Sequence, residues 1–198
     1  MKLYRPYPIN EEIKIRTNEL LVTKTDTNGN IIDINENFTD KVGYSLEEIK
    51  GTKHNDLRHP DMPEIILFLI SKQMEQGKKV RAIVKNLTKS GHYYWATTDF
   101  EPNINTQGNL DSFFAFRSAI PSNEIEPLIE LYRELVKVEK HGGIEASLIS
   151  LNSYLKQNRV TFESFMNKMS MPKSILKKLY ISSFAPQQNQ KALYKRVA

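Results

Sequence analysis

Up to about residue 120 strand-like runs and helical segments alternate along the chain, and beyond it the apolar spacing is helical. Residues 20–26 and 31–34 are two β-prone runs. Thr27-Asn28-Gly29-Asn30 lies between them, a tight turn with a glycine free to take positive φ. This predicts a hairpin. Ser45 has Glu48 three residues on, the capping-box spacing, and Gly51 ends the short helix it opens. Asp61 and Glu64 repeat that spacing, with Pro63 in a first turn where a missing N–H costs nothing. The helix that follows carries an apolar run over residues 65–70, then Met74, and stops at Gly77. It is apolar nearly all round, so burial on more than one side is expected. Three strand-like runs come next, at residues 79–87, 93–102 and 110–120, separated by turns at 89–92 and 105–109. The order is two strands, short helices, one longer helix and three strands. That predicts an α+β domain with an antiparallel sheet.

After residue 121 the spacing becomes helical. Leu128, Ile129, Leu131, Tyr132, Leu135 and Val136 share one helix face, which ends at His141-Gly142-Gly143. Ile144, Leu148, Leu151 and Leu155 mark a second helix. Residues 160–169 and 171–181 suggest a third and a fourth. From residue 182 no periodicity remains. Residues 1–18, interrupted by Pro6 and Pro8, read as an extended cap with room for a short helix after Asn10. The expected division is a cap at 1–18, a sheet domain at 19–121, a helical region at 122–181 and a loose basic tail at 182–198.

Charge sharpens this division. Residues 1–121 hold 16 basic and 16 acidic side chains, whereas residues 151–198 hold 9 basic against 1 acidic. A basic end of this kind suits an acidic partner surface or an anionic membrane face. No nucleic-acid reading motif accompanies it, so no nucleic-acid partner is expected. The chain has no cysteine, which removes disulfides, thiolate nucleophiles and thiolate-held metals and points to the cytosol. Residues 1–18 contain no signal-peptide core, and the longest unbroken apolar run, residues 65–70, is too short to cross a bilayer.

The candidate chemistry is concentrated in residues 53–63, Lys-His-Asn-Asp-Leu-Arg-His-Pro-Asp-Met-Pro. No catalytic triad, metal-spaced histidine pair or phosphate loop stands out, so neither an enzyme nor a metal site is expected. Arg58 has a forked donor suited to a phosphate or ring carbonyl. His59 can stack or donate, and Asp61 can accept from a hydroxyl or a ring N–H. Together they suit a polar-edged, anionic, planar ligand at the mouth between the sheet and the longer helix. Each also has a plainer reading. Asp61 could be a helix cap, Arg58 half of an ion pair, His59 a buried loop residue, and Asn35 the cap of the helix after the hairpin.

The hairpin, Asn35-x-x-Phe38 and the Gly43-Tyr44-Ser45-x-Glu47-Glu48-x-x-Gly51 run resemble the opening of a PAS domain. The Asn55-x-x-Arg58-His59-Pro60-Asp61-Met62-Pro63 segment resembles the flavin-pocket segment of bacterial aerotaxis (energy-taxis) receptors. The resemblance continues through Ile83-Val84-Lys85-Asn86, Lys89-x-Gly91 and Tyr93-Tyr94-Trp95, and more weakly through Glu126-Pro127-Leu128-x-x-Leu131-Tyr132. It implies a PAS fold with a five-stranded antiparallel sheet and a helical C-terminal extension. It also implies FAD held with the help of Asn35, Arg58, His59 and Asp61; Trp95, the one tryptophan, is a further candidate contact, although in PAS-like sheets such a residue is more often structural. The chain departs from many flavin-binding relatives at Val80, where those carry tryptophan. Haem is the competing cofactor, ligated most simply by His54 or His59. A cofactor-free interaction module is the alternative from another class. As a sensor the chain would report redox or energy state to a separate membrane chemoreceptor with a methyl-accepting signalling domain. The Leu148/Leu151/Leu155 helix face would be left for that partner or for a second copy of the chain. The basic end would add a peripheral contact with the inner membrane face.

Overall fold

The computed structural model describes residues 5–120 and 126–169. The expected fourth helix and the basic tail lie outside these residues. A hairpin, β1 (Leu21–Thr25) and β2 (Ile31–Ile34), leads into two short helices, α1 (Glu36–Val42) and α2 (Leu46–Ile49). A 3-10 turn over His54–Leu57 precedes α3 (Glu64–Glu75). Then come β3 (Val80–Leu87), β4 (Tyr93–Ile104) and β5 (Leu110–Ser118), followed by α4 (Glu126–Gln157) and α5 (Phe162–Met169). The five strands form one antiparallel sheet in the order β2-β1-β5-β4-β3.

Register decides what the sheet buries. Strand side chains alternate between faces. Thr23, Ala115, Phe100 and Val80 therefore form one row across β1, β5, β4 and β3, and Leu21, Arg117, Thr98 and Ala82 form the next. This inner face meets α1 to α3, where Phe38, Ile49, Leu57, Ile65, Ile66 and Ile70 complete the core. The outer face is shared. Over β3 and β4, α4 sets Tyr132 beside Trp95, with ring centroids 6.0 Å apart, and the Tyr132 hydroxyl donates to the Ile83 carbonyl at 2.7 Å. Over β1 and β5, Leu20, Val22 and Phe116 form a separate small cluster.

The N-terminal stretch is extended, with no helix after Asn10. Ile9 and Ile13 donate backbone N–H groups to the carbonyls of Gly91 and Tyr93. The kink at His141-Gly142-Gly143 is present: Gly143 takes φ 69°, ψ −169°, inside the span of α4. Two features differ from the sequence reading. Asp61 does not cap α3, because Pro63 occupies the cap position and offers no side-chain acceptor. Instead, the Glu139 carboxylate of α4 accepts from the first N–H groups of α3, those of Glu64 and Ile65, both at 2.9 Å. The second difference concerns the face thought free for a partner. Leu151 and Leu155 are buried, and Leu148 packs against the same core with Phe165 and Met166 of α5. The chain covers that face itself.

Candidate functional site

Among the described residues, cavities flank the sheet on both faces. One, of about 400 Å³, lies between the inner face and α3. Its walls are mostly apolar: Leu67, Ile70 and Met74 from α3, and Phe100, Phe113 and Ala115 from β4 and β5. Thr25, Asn28, Gly29, Lys53 and His54 supply its polar rim. The other, of about 420 Å³, lies beside α4 and is lined by Asp61, Lys85, Tyr93, Trp95, Tyr132 and Lys140, among others.

The predicted residues do not converge on the first cavity. Asn35 is fully used by the fold. Its Oδ1 accepts from the N–H groups of Val22 (2.9 Å) and Phe38 (3.1 Å), and its Nδ2 donates to the Leu20 carbonyl at 2.8 Å. It thus ties α1 to β1, which is the plainer reading. Arg58 points towards Glu64 at 3.7 Å, not towards Asp56 or Asp61. The backbone of the segment runs along the edge strand β3: His59 donates its N–H to the Lys85 carbonyl at 3.1 Å, and Met62 Sδ meets the Lys85 N–H at 3.4 Å.

His59 and Asp61 do come together, beside Lys85. Lys85 Nζ donates to Asp61 Oδ2 at 2.8 Å and sits 4.2 Å from the Tyr93 ring centre and 5.8 Å from that of Trp95. His59 is buried edge-on to Tyr93, and its Nδ1 accepts from the Asp61 N–H at 3.0 Å. A nitrogen that accepts carries no proton, so His59 is neutral here. Burial and the Lys85 cation together push its pKa down to about 4, against the opposing pull of Asp61. For Asp61, hydrogen bonding and charge from Lys85 outweigh the upward push of burial and hold its pKa below the usual carboxylate range. Trp95 is on the outer face with Lys85, packed on Tyr132. Asp61 and Trp95 therefore line the second cavity, while Asn35, Arg58 and His59 line neither.

The inner face holds what the sequence reading missed. Arg117 is fully buried there and donates to Thr23 Oγ1 at 3.2 Å, to the Ala115 carbonyl at 3.3 Å and to His54 Nε2. Burial and that guanidinium push the His54 pKa down to about 3. His54 also meets Phe100 edge-on, with centroids 6.4 Å apart. Tyr94 and Asn86 are buried on the same face, joined at 3.3 Å through the tyrosine hydroxyl. Val80, where tryptophan was noted as missing, pairs with Phe100, so an aromatic ring reaches this cavity from the adjacent strand. His54 and His59 thus belong to different neighbourhoods, and among the described residues no group of three metal-ligating side chains forms.

Comparisons with known proteins agree with this architecture. A family model described as PAS fold matches residues 31–116. The aerotaxis receptor of Escherichia coli is 29% identical over 150 residues, covering 76% of this chain but 29% of the receptor. The biofilm dispersion protein BdlA of Pseudomonas aeruginosa is 29% identical over 98 residues, covering 48% of this chain and 23% of that protein. The chain therefore spans less than a third of either relative. Among solved structures, the light-state LOV domain of the blue-light photoreceptor Aureochrome1 superposes with a TM-score of 0.51 at 18% identity, covering 56% of this chain and 88% of that one. Element order, sheet topology and the family match together give residues 31–116 a PAS fold, and over 150 residues the chain is similar to the aerotaxis receptor.

Proposed function

We propose that this chain is a cytoplasmic PAS sensor that holds FAD and reports redox or energy state to a separate membrane chemoreceptor. The observation that carries the reading is the cavity between α3 and the inner sheet face. It has apolar walls from α3, β4 and β5 and a polar rim drawn from the hairpin turn, the His54 turn and the end of α3, where Ser71 and Glu75 lie, a make-up that suits a ligand with an apolar ring and a polar part. Its volume of about 400 Å³ suits a ring system, with the rest of a dinucleotide extending past Lys53. Phe100 offers an aromatic contact where tryptophan is lacking at position 80. Two similarities support the choice of flavin. One is to the aerotaxis receptor; the other is to a light-oxygen-voltage domain studied with a flavin analogue, with a TM-score of 0.51 at 16% identity. Haem fits less well, because His54 Nε2 already pairs with Arg117 and His59 does not line this cavity.

In this reading FAD, when bound, supplies a ring whose redox state the fold can register. Arg58, His59 and Asp61 act as positioning residues: they fasten the loop before α3 to β3 and so set one wall of the cavity. Asn35 does the same for α1, and Trp95 for α4. Signalling, not catalysis, is the role. Among the described residues no helix is long and apolar enough to cross a membrane. Contact with the receptor, with a second copy and with the inner membrane face through the basic end are parts of the same proposal. The test is direct. Purified full-length protein should show oxidised-flavin absorption bands and release FAD on denaturation. Folded protein that is colourless and takes up no added FAD refutes the cofactor, and a Soret band would replace it with haem.

A further inference from the structure

The cavity on the outer face is built unlike the one under α3. Its aromatic lining is Tyr93 and Trp95 of β4 with Tyr132 of α4, and its aliphatic lining is Ile129 and Val136 of α4, both half-buried. Four cations line it, Lys85, Arg133, Lys137 and Lys140, against one carboxylate, Asp61. Lys85 and Asp61 answer each other at 2.8 Å. Among the described residues Arg133 and Lys140 form no ion pair, and Lys137 meets only Glu134, at 4.0 Å with both side chains well exposed. An exposed pair of that length neutralises little.

The three unanswered cations are in register. Arg133, Lys137 and Lys140 stand at i, i+4 and i+7, so they share one face of α4 and span about 10 Å along its axis. They lie in the turns before the Gly143 kink, where cations also suit the helix dipole. The dipole accounts for their sign. It does not account for the concave, partly apolar wall beside them, to which Ile129 and Val136 of the same helix contribute. Lys140 also stands close enough to Asp61 to help hold its pKa down. A volume of about 420 Å³ is that of a small-molecule site. A peptide would have to bring several carboxylates here on separate flexible side chains, each ordered at a cost in entropy. A polyphosphate carries the same charge on one short chain.

We propose that this outer cavity binds a nucleoside polyphosphate, with the phosphates along Arg133, Lys137 and Lys140 and the nucleoside against Ile129 and Val136, beside Trp95. Arg133 takes a phosphate through its forked guanidinium, and the lysines act as point charges. The sheet separates this cavity from the one under α3, so the site does not rest on the flavin reading. It loads the same stretch of α4 that carries Glu139, the cap of α3.

Trp95 is the chain's one tryptophan, so its fluorescence reports on this cavity. Full-length protein is titrated with ATP, ADP, AMP and inorganic triphosphate, followed by Trp95 fluorescence and by calorimetry. Affinity should fall from ATP to ADP to AMP. Inorganic triphosphate should bind more weakly than ATP, since it leaves the apolar wall empty. Arg133→Gln, Lys137→Gln and Lys140→Gln should each weaken ATP binding about fivefold, the upper range for an exposed charge pair. Their thermal midpoints should not move, because all three side chains are exposed. The same loss of charge in the tail, Lys191→Gln with Lys195→Gln and Arg196→Gln, should leave ATP affinity unchanged. An equal loss from the tail variant would mean unspecific attraction to a basic chain and would overturn the proposal. So would the absence of heat and of any fluorescence change at millimolar ATP, and so would inorganic triphosphate that equals ATP. A tetraglutamate peptide that binds as tightly as ATP would make this a surface for an acidic partner and overturn it as well.

Discussion

Acid should weaken this fold before most of its carboxylates take up protons. Two histidines are held neutral inside it. His54 is pushed to about 3, by burial first and by Arg117 second; His59 is pushed to about 4, by burial first and by Lys85 second. In the unfolded chain both would titrate near the ordinary value of 6.5. Between pH 6.5 and about 4 the unfolded state therefore binds more protons, and stability falls as pH falls. Above pH 6.5 the contribution is fully present. Each histidine should remove about 2 kcal/mol between pH 7 and pH 5, and the pair about 4 kcal/mol. Against the usual total of about 5–15 kcal/mol, that is a large share. The assay is urea unfolding of ligand-free protein at pH 7 and pH 5, for wild type, His54→Gln and His59→Gln. Each glutamine lacks a titration in this window, so each single variant should keep only about half of the loss. A wild-type stability that does not change from pH 7 to pH 5 would refute the reasoning. So would an undiminished loss in both variants, which would place the proton uptake elsewhere.

Three further outcomes are expected. Glu139→Ala should cost about 1 kcal/mol, the usual worth of a helix cap, and lower the melting midpoint by about 2–4 °C, while Glu139→Gln should recover part of it. Tyr132→Phe removes the hydroxyl that donates to the Ile83 carbonyl at 2.7 Å and should cost about 1–3 kcal/mol in urea unfolding, because a buried acceptor loses its partner. Gly91→Ala should release the N-terminal stretch: Gly91 sits at φ +90°, and a Cβ there would come 2.3 Å from the Tyr7 carbonyl oxygen, so hydrogen exchange at the Ile9 and Ile13 amides should speed up with the sheet intact.

The sheet domain was legible because its signals are local. The Asn28-Gly29 turn, the Ser45/Glu48 box and the apolar α3 each state their element within a few residues, and each lies where it was read. The α3 cap was misread for the opposite reason. Its acceptor, Glu139, is 75 positions away from Glu64, and nothing in the spacing of Asp61 and Glu64 reveals it. Arg117 was missed because both faces of β5 are aromatic or apolar. Phe113, Ala115 and Arg117 face inward, Phe114 and Phe116 outward, so alternation grouped the arginine with Phe113 and Ala115 but could not tell which of two equally apolar faces the core would bury. A charged residue two positions after two cavity-lining ones was the only available hint. The Arg58-His59-Pro60-Asp61 segment was legible as a marker, but Asp61 turns to Lys85 of the β3 edge, the His59 backbone pairs with the same residue, and Arg58 turns to Glu64 of α3. Motif spacing carries no information about which side of a strand a loop will cover.

The Glu139 cap joins the cavity to the C-terminal helices. α3 supplies Leu67, Ile70 and Met74 to the cavity wall, and its first two N–H groups end on a carboxylate of α4. α4 in turn is held to the outer sheet face by Tyr132, and beyond the Gly143 kink its second half packs with α5. A ligand that moves α3 along its axis must stretch or release those two hydrogen bonds, so its free energy is felt at α4. The coupling cannot exceed the worth of the cap, about 1 kcal/mol, or roughly a fivefold shift in a two-state equilibrium. That is enough to bias a partner's choice between two helix positions and too little to unfold either. Replacing Glu139 by alanine should therefore leave FAD affinity within about fivefold of wild type while uncoupling it from the tail. The readout is hydrogen exchange over α4, compared with and without FAD. Wild type should show a ligand-dependent difference and Glu139→Ala none. An equal difference in both would mean that the signal leaves the cavity by the sheet.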